Sequence, residues 1–136
     1  MTGQKHNKRV RGAGLLEFGL SLVLMITLLY GIMEFGRFVY SYNILAGATR
    51  EATRYAMVHG SKSGTAATPA DITAQVRRWS VGLDSSALTV TTNWNPSNAP
   101  GSTVLVRTSY RLTPVATLLL KQPITIGSQS QLVISQ

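Results

Sequence analysis

Residues 8–33 read KRVRGAGLLEFGLSLVLMITLLYGIM. A basic patch gives way at Gly12 to an apolar run interrupted by one acid, Glu17, and positions 18–33 carry no charge. The 22 residues from Gly12 to Met33 would span roughly 33 Å as a helix, against about 30 Å of bilayer hydrocarbon. Leu, Ile, Val and Met dominate the run. Its polar members Ser21, Thr27 and Tyr30 can be satisfied by their own helix or at an interface. The stretch reads as one membrane-spanning helix, and the rest of the chain is organised around it.

An ionisable group inside a spanning helix is costly and therefore a functional candidate. Glu17 lies five residues past Gly12, about one turn inside the apolar zone. The plainer account is a first-turn acid favoured by the helix dipole and close to headgroups. The other account draws on the small residues Gly12, Ala13 and Gly14 directly after Arg11, which suit a protease that must fit the backbone into its active site.

This order, a basic leader, a Gly, and an apolar helix with Glu five positions later, resembles a prepilin peptidase site. Two further runs, GIMEFGR at 31–37 and REATRYA at 50–56, together with Glu17-Phe18, resemble the TadE-like family of the Flp (tight-adherence) pilus system. The resemblance covers about the first 60 residues closely and the remainder only in layout. It implies a minor pilin or pseudopilin that a prepilin peptidase cuts between Gly12 and Ala13, with Glu17 pairing subunits in the membrane. The implied partners are that peptidase, other pilin or pseudopilin subunits and the pilus assembly platform, and the implied role is surface attachment. Family members often carry a proline inside the span. Here the first proline is Pro69, which argues for a straighter helix.

Charge distribution sets the orientation. Of 13 basic residues, Lys5, Lys8, Arg9 and Arg11 fall in the first 12 positions, where none of the 5 acids lies. The positive-inside rule then keeps the N-terminus in the cytoplasm and exports the C-terminal part; the resemblance implies the bacterial inner membrane as the location, with the pilus a further one after processing. The formal net charge of +8 also raises a nucleic-acid-binding tail. The basic patch abuts an apolar helix, so no nucleic acid is expected. A secretory signal with Ala46-Gly47-Ala48 as its cleavage site is the other competitor. Its apolar run is too long for an h-region, and Glu34 and Arg37 separate the run from the site.

The expected layout is a basic leader at 1–12, solvated and disordered, then the transmembrane half of a long helix at 13–33. An exported amphipathic half follows at 34–60, then a small α+β domain at 61–136. Positions 35, 38, 39, 42, 45, 46, 49, 52, 53 and 56 follow helical spacing and mark one face. Ala48, Ala52 and Ala56 form a small-xxx-small row that lets another backbone approach, either this chain's own sheet or a second subunit. Gly47 within the helix predicts close packing or slight flexing. Gly60 is a stop signal, with His59 in the last turn where partial positive charge suits the dipole. From Ala13 to His59 such a helix would run roughly 70 Å.

Thr68 is the expected cap of a second short helix, with Pro69 first and Asp71 in the first turn. Ile72, Val76 and Trp79 share its inner face, with Trp79 as a core plug and Arg77 and Arg78 toward water. From Leu88 the period changes to two. Leu88, Val90, Thr92 and Trp94 alternate with Thr89, Thr91 and Asn93, the signature of a strand. NPSNAPG at 95–101 is a turn. A second strand follows, with Val104, Val106, Thr108, Tyr110 and Leu112 on one face. The apolar run 115–120 reads as a short helix or turn. Positions 124–134 make a last strand, either one with a bulge or two shorter ones. The fold class is α+β: a long pilin-like helix, a second short helix and a small antiparallel sheet of about three strands.

Nothing in the chain points to catalysis. Glu17, Glu34 and Glu51 are spaced 17 apart, about 25 Å along a helix, and cannot pair within one chain. There is no Cys and there are 2 His, without metal-ligand spacing, so no metal and no cofactor are expected. No phosphate loop or nucleophile elbow occurs, and no small-molecule substrate is implied. Arg107 and Arg111 read as solvated strand residues. The chain is expected to be an enzyme's substrate rather than an enzyme, in contact with membrane lipid. The alternative is an uncleaved single-pass anchor whose exported domain binds a partner or scaffolds a complex.

Overall fold

The computed structural model describes residues 7–115 and 122–135, with side chains from residue 12 onward. The elements are helix α1 (Asn7–Val58), helix α2 (Pro69–Trp79), one 3-10 turn (Ser85–Ala87) and strands β1 (Leu88–Asn95), β2 (Thr103–Leu112) and β3 (Ile124–Val133). The fold is α+β, as the periodicity predicts. The chain divides into two compact units, Met1–Gly36 and Arg37–Gln136.

The first unit contains the N-terminal part of α1. This helix begins at Asn7, earlier than the Ala13 expected, so positions 7–12 are helical rather than disordered. Lys, Arg and Val tolerate helix, and no proline stands there to stop it. Residues 1–6 of the leader lie outside the described residues. Every side chain from Gly12 to Phe18 is exposed, as are all those from Leu20 to Met33. Thr27 satisfies its hydroxyl by donating to the Val23 carbonyl at 2.9 Å, one turn back along the same helix. That is the arrangement an apolar solvent demands of a polar side chain.

The second unit contains the C-terminal part of α1, α2 and the sheet. Strand order is β1-β2-β3, antiparallel throughout. Leu88 faces Tyr110 and Asn95 faces Thr103; Thr103 in turn faces Val133 and Leu112 faces Ile124. The β2–β3 register is unbroken from end to end, so the last strand is a single one without a bulge. The β1–β2 turn closes with Gly101 at φ +84°, a conformation that glycine adopts without strain. The run 115–120 falls, past Val115, outside the described residues.

The even positions of β2, Val104, Val106, Thr108, Tyr110 and Leu112, are all buried, as the two-residue period predicts. They form one core with Leu45, Ala48, Ala52 and Ala56 of α1 and Ile72 and Val76 of α2. Thr49 Oγ1 lies 2.6 Å from Thr108 Oγ1 and donates to the Leu45 carbonyl at 2.7 Å, which satisfies a buried hydroxyl pair between helix and sheet. The buried line on α1 runs through 41, 45, 48, 49, 52, 53 and 56. Phe35, Val39 and Tyr42, expected on this face, are exposed; Ser41 takes the inward position, and Tyr42 lies about 100° further round the helix. Gly47 is exposed with open space where a Cβ would stand, so close packing within this chain does not account for it.

Helix α2 returns antiparallel to this part of α1. At its start, Ala67 N–H donates to the His59 carbonyl at 2.8 Å. At its far end, Tyr40 Oη lies 3.5 Å from the Val81 carbonyl oxygen. A reciprocal cap fixes the start of α2. Asp71 N–H donates to Thr68 Oγ1 at 3.2 Å, and Thr68 N–H donates to Asp71 Oδ2 at 2.9 Å. The Thr68 hydroxyl and N–H hold the Asp71 carboxyl below its ordinary range, since both bonds favour the ionised form. A depressed folded pKa contributes stability above the ordinary aspartate range, and that contribution is lost as pH falls through the folded value. Thr68→Ala is expected to cost about 1 kcal/mol at neutral pH and progressively less in acid. Thermal melts of the two proteins at neutral and acid pH check this.

Trp79 is 52% exposed, which corrects its reading as a core plug. It is the last residue of α2, past the layer that Ile72 and Val76 fill. Ser80 is buried there instead, its hydroxyl donating to the Val76 carbonyl at 2.7 Å. Arg77 and Arg78 are exposed as expected.

Candidate functional site

The N-terminal candidates share one stretch of α1. Gly12, Ala13 and Glu17 are all helical and all exposed. Ala13 and Glu17 are four residues apart and so project from one helix face, while Gly12 lies about 140° away from Glu17. Side chains on a helix lean toward its N-terminus, so the Glu17 carboxylate leans back over the turn that Ala13 begins. The Gly12–Ala13 peptide bond lies within α1. Gly12 and Gly14 each cost the helix about 1 kcal/mol relative to Ala, which makes these turns easy to open.

Glu17 is flanked by Leu15, Leu16, Phe18 and Leu20, all large and exposed. Such a surface is unstable in water and suited to lipid or to the core of a helix assembly. α1 is long and apolar enough to cross a membrane, and none of its apolar window is buried within the chain. The core helix of a soluble protein would bury that window.

The second candidate, the row Ala48, Ala52 and Ala56, has a different environment. All three are at most 1% exposed and sit in the core with Val104 and Val106. Their small side chains let this chain's own sheet approach α1. His59 stacks on Tyr55 with ring centroids 4.0 Å apart, and its Nδ1 lies 2.9 Å from the Tyr55 carbonyl oxygen. It closes the helix end. Glu34 is buried.

On the outer face of the sheet, Arg107 Nε donates to Gln129 Oε1 at 3.2 Å. An open hollow of about 480 Å³ lies beside it, lined by Thr89, Thr91, Ser109 and Gly127 among others. Among the described residues no group of three or more His, Cys, Asp or Glu is placed to hold a metal ion.

Residues 12–54 match the family model described as TadE-like protein. The TadE-like segment begins at Gly12, takes in Glu17 and the 31–37 run, and ends at Arg54 within α1. It therefore contains the cleavage and pairing candidates together with two of the three core alanines, and none of the sheet. No curated protein and no solved structure matches the chain.

Proposed function

We propose that this chain is a TadE-like minor pilin or pseudopilin that takes part in assembling Flp (tight-adherence) pili for surface attachment. It is a single-pass protein of the bacterial inner membrane, with residues 1–12 in the cytoplasm, 13–33 in the bilayer and 34–136 exported. A prepilin peptidase cuts between Gly12 and Ala13. The observation that carries this reading is that the residues matched by the TadE-like model include an exposed apolar stretch of α1 long enough to cross a membrane.

Cleavage changes the physics of the helix. The leader removed carries Lys5, Lys8, Arg9 and Arg11, the charges that hold the helix end at the cytoplasmic face. The new amine at Ala13 is a cation one turn from Glu17, on the same face. It can meet its own Glu17 or that of a neighbouring subunit, and the shortened helix is free to leave the bilayer for a filament. The partners are accordingly the peptidase, other pilin or pseudopilin subunits and the assembly platform, with lipid before assembly. The chain is a substrate and a structural subunit, without cofactor, nucleic-acid ligand or small-molecule substrate.

The uncleaved single-pass anchor is the second reading, favoured by α1 running unbroken through the Gly12–Ala13 bond. Intact mass of the protein from its native membrane separates the two. The expected product begins at Ala13, and Gly12→Val is expected to abolish it by placing a branched side chain at the cut. Recovery of the full-length chain from cells with an active prepilin peptidase, or of the shortened product from Gly12→Val, overturns the proposal.

A further inference from the structure

The outer face of the sheet carries a charge and a hollow that the fold does not need. Its positions alternate with the core positions of β2, and Arg107 and Arg111 are both exposed there. They are the only charged residues in the three strands. Of the acids in the unit Arg37–Gln136, Asp71 is engaged with Thr68. Asp84 accepts from the Ser86 N–H at 2.9 Å and from the Ser86 hydroxyl at 2.8 Å. Glu51, the third, belongs to α1, which packs on the opposite face of the sheet. The outer face is therefore cationic, with no acid on it among the described residues. The bond from Arg107 to Gln129 takes one of the guanidinium's five N–H donors and fixes the group beside the hollow.

Between the rows of Arg107 and Arg111 lies a row of small residues. Thr89, Ser109 and Gly127 are partners across the three strands, and all three line the hollow of about 480 Å³. Gly127 is the informative member. A glycine within a strand weakens it, and no positive φ requires this one. A Cβ there would stand 3.5 Å from the Thr108 carbonyl oxygen, an ordinary contact, so the packing of the chain does not require the glycine either. What a side chain at 127 would do is fill the hollow.

The hollow is within the size range of small-molecule sites and presents hydroxyls, an amide and a guanidinium. Among the described residues no aromatic or large aliphatic side chain lines it. It therefore offers neither the apolar anchor pocket of a protein interface nor the stacking platform that single-stranded nucleic acid uses. Hydroxyls that both donate and accept match those of a sugar ring, and a planar guanidinium matches a carboxylate. Arg111 follows Arg107 by four residues along β2, about 14 Å, so a ligand that engages both must carry its charge at intervals. We propose that this face binds an acidic saccharide, a chain of uronic acid units. Arg107 takes one carboxylate, Thr89, Thr91 and Ser109 hydrogen-bond to sugar hydroxyls in the hollow, and Arg111 takes a further carboxylate. Such binding uses the unit Arg37–Gln136 alone and requires neither cleavage at Gly12 nor assembly.

The test is calorimetric titration of hexagalacturonate into the full chain in uncharged detergent micelles. Binding is expected, and the methyl-esterified hexasaccharide, which lacks the charges, is expected to bind about tenfold more weakly or worse. Arg107→Gln is expected to weaken hexagalacturonate by about the same factor. Gly127→Val is expected to do likewise by filling the hollow, without a fall in melting temperature, because valine suits a strand. Arg77→Gln removes the same charge from α2 and should leave the affinity where it was. Absence of binding, equal binding of the ester, or an equal loss in Arg77→Gln overturns the site. Unchanged affinity in Gly127→Val overturns it too. Equal binding of hexaglutamate overturns the saccharide in favour of an acidic protein segment. Should Gly127→Val not fold, Ser109→Val narrows the same hollow from β2 and is expected to show the same loss.

Discussion

Glu17→Ala is expected to leave membrane insertion and processing intact and to reduce assembled pili about a hundredfold. The variant loses one charge from an exposed apolar helix, so it partitions into lipid at least as well as the natural chain. The loss falls on assembly. In a filament of packed helices the Ala13 amine and the Glu17 carboxylate would both be removed from water. Deleting one member of a buried ion pair costs about 3–5 kcal/mol, because the other is left uncompensated. At about 1.4 kcal/mol per factor of ten, the lower figure already removes two orders of magnitude in subunit association. Immunoblots of sheared pili and of the membrane fraction check the result. The processed subunit should accumulate in the membrane and be lost from the pili. Glu17→Gln keeps the shape and a hydrogen-bonding group but not the charge, and should be nearly as defective if the amine is the partner. Normal pili in Glu17→Ala would remove the pairing role.

The sheet was legible because burial on one side writes a two-residue period into the chain. Val104 to Leu112 alternates cleanly, and the core of the structure lies on the side so predicted. The start of α2 was legible for a local reason, since Thr68, Pro69 and Asp71 are within four residues of one another and their bonds need no tertiary partner. The start of α1 was not. Positions 7–11 carry polar and basic residues without an apolar stripe, so no period marks them as helical.

Position along an element was harder to read than the element itself. Helical spacing puts Trp79 on the same face as Ile72 and Val76, but spacing does not reveal that the core ends before the helix does. Likewise Ser41 and Tyr42 each lie on a line with three- and four-residue steps, and only the sheet's approach decides that the serine faces inward. The contact of Tyr40 with Gly82 joins residues 42 apart in sequence and left no local trace beyond a glycine in a turn. For the N-terminal candidates the balance reverses. Gly12, Ala13 and Glu17 stand out in sequence by their order, whereas in the folded chain all three are exposed. Under the proposed function, their partners are an enzyme, a bilayer and other subunits, none of which one chain encodes in its packing.

Leu45→Ala is expected to destabilise the unit Arg37–Gln136 by about 3 kcal/mol, toward the lower end of the range for emptying a buried leucine site. Leu45 is fully buried, among the largest such side chains, and shares the core with Val104 and Val106. The site cannot easily collapse around the loss. Its own carbonyl accepts from Thr49, which is joined to Thr108 on the sheet, so the helix and the sheet are held at their present separation. For a unit of this size each kcal/mol corresponds to roughly 4–8 °C in melting temperature, so a drop above about 10 °C should be seen. The readout is the near-ultraviolet circular dichroism of the tryptophans during a melt of the full chain in detergent micelles. The apolar part of α1 should stay helical in the micelle while the domain's tertiary signal is lost. Leu28→Ala makes the same chemical change on an exposed surface and should leave the melt where it was. If the two leucine variants melt together, then the amphipathic half of α1 is not seated on the sheet through Leu45. The buried alanines on the same face would then be available to another subunit rather than committed to this chain's own core.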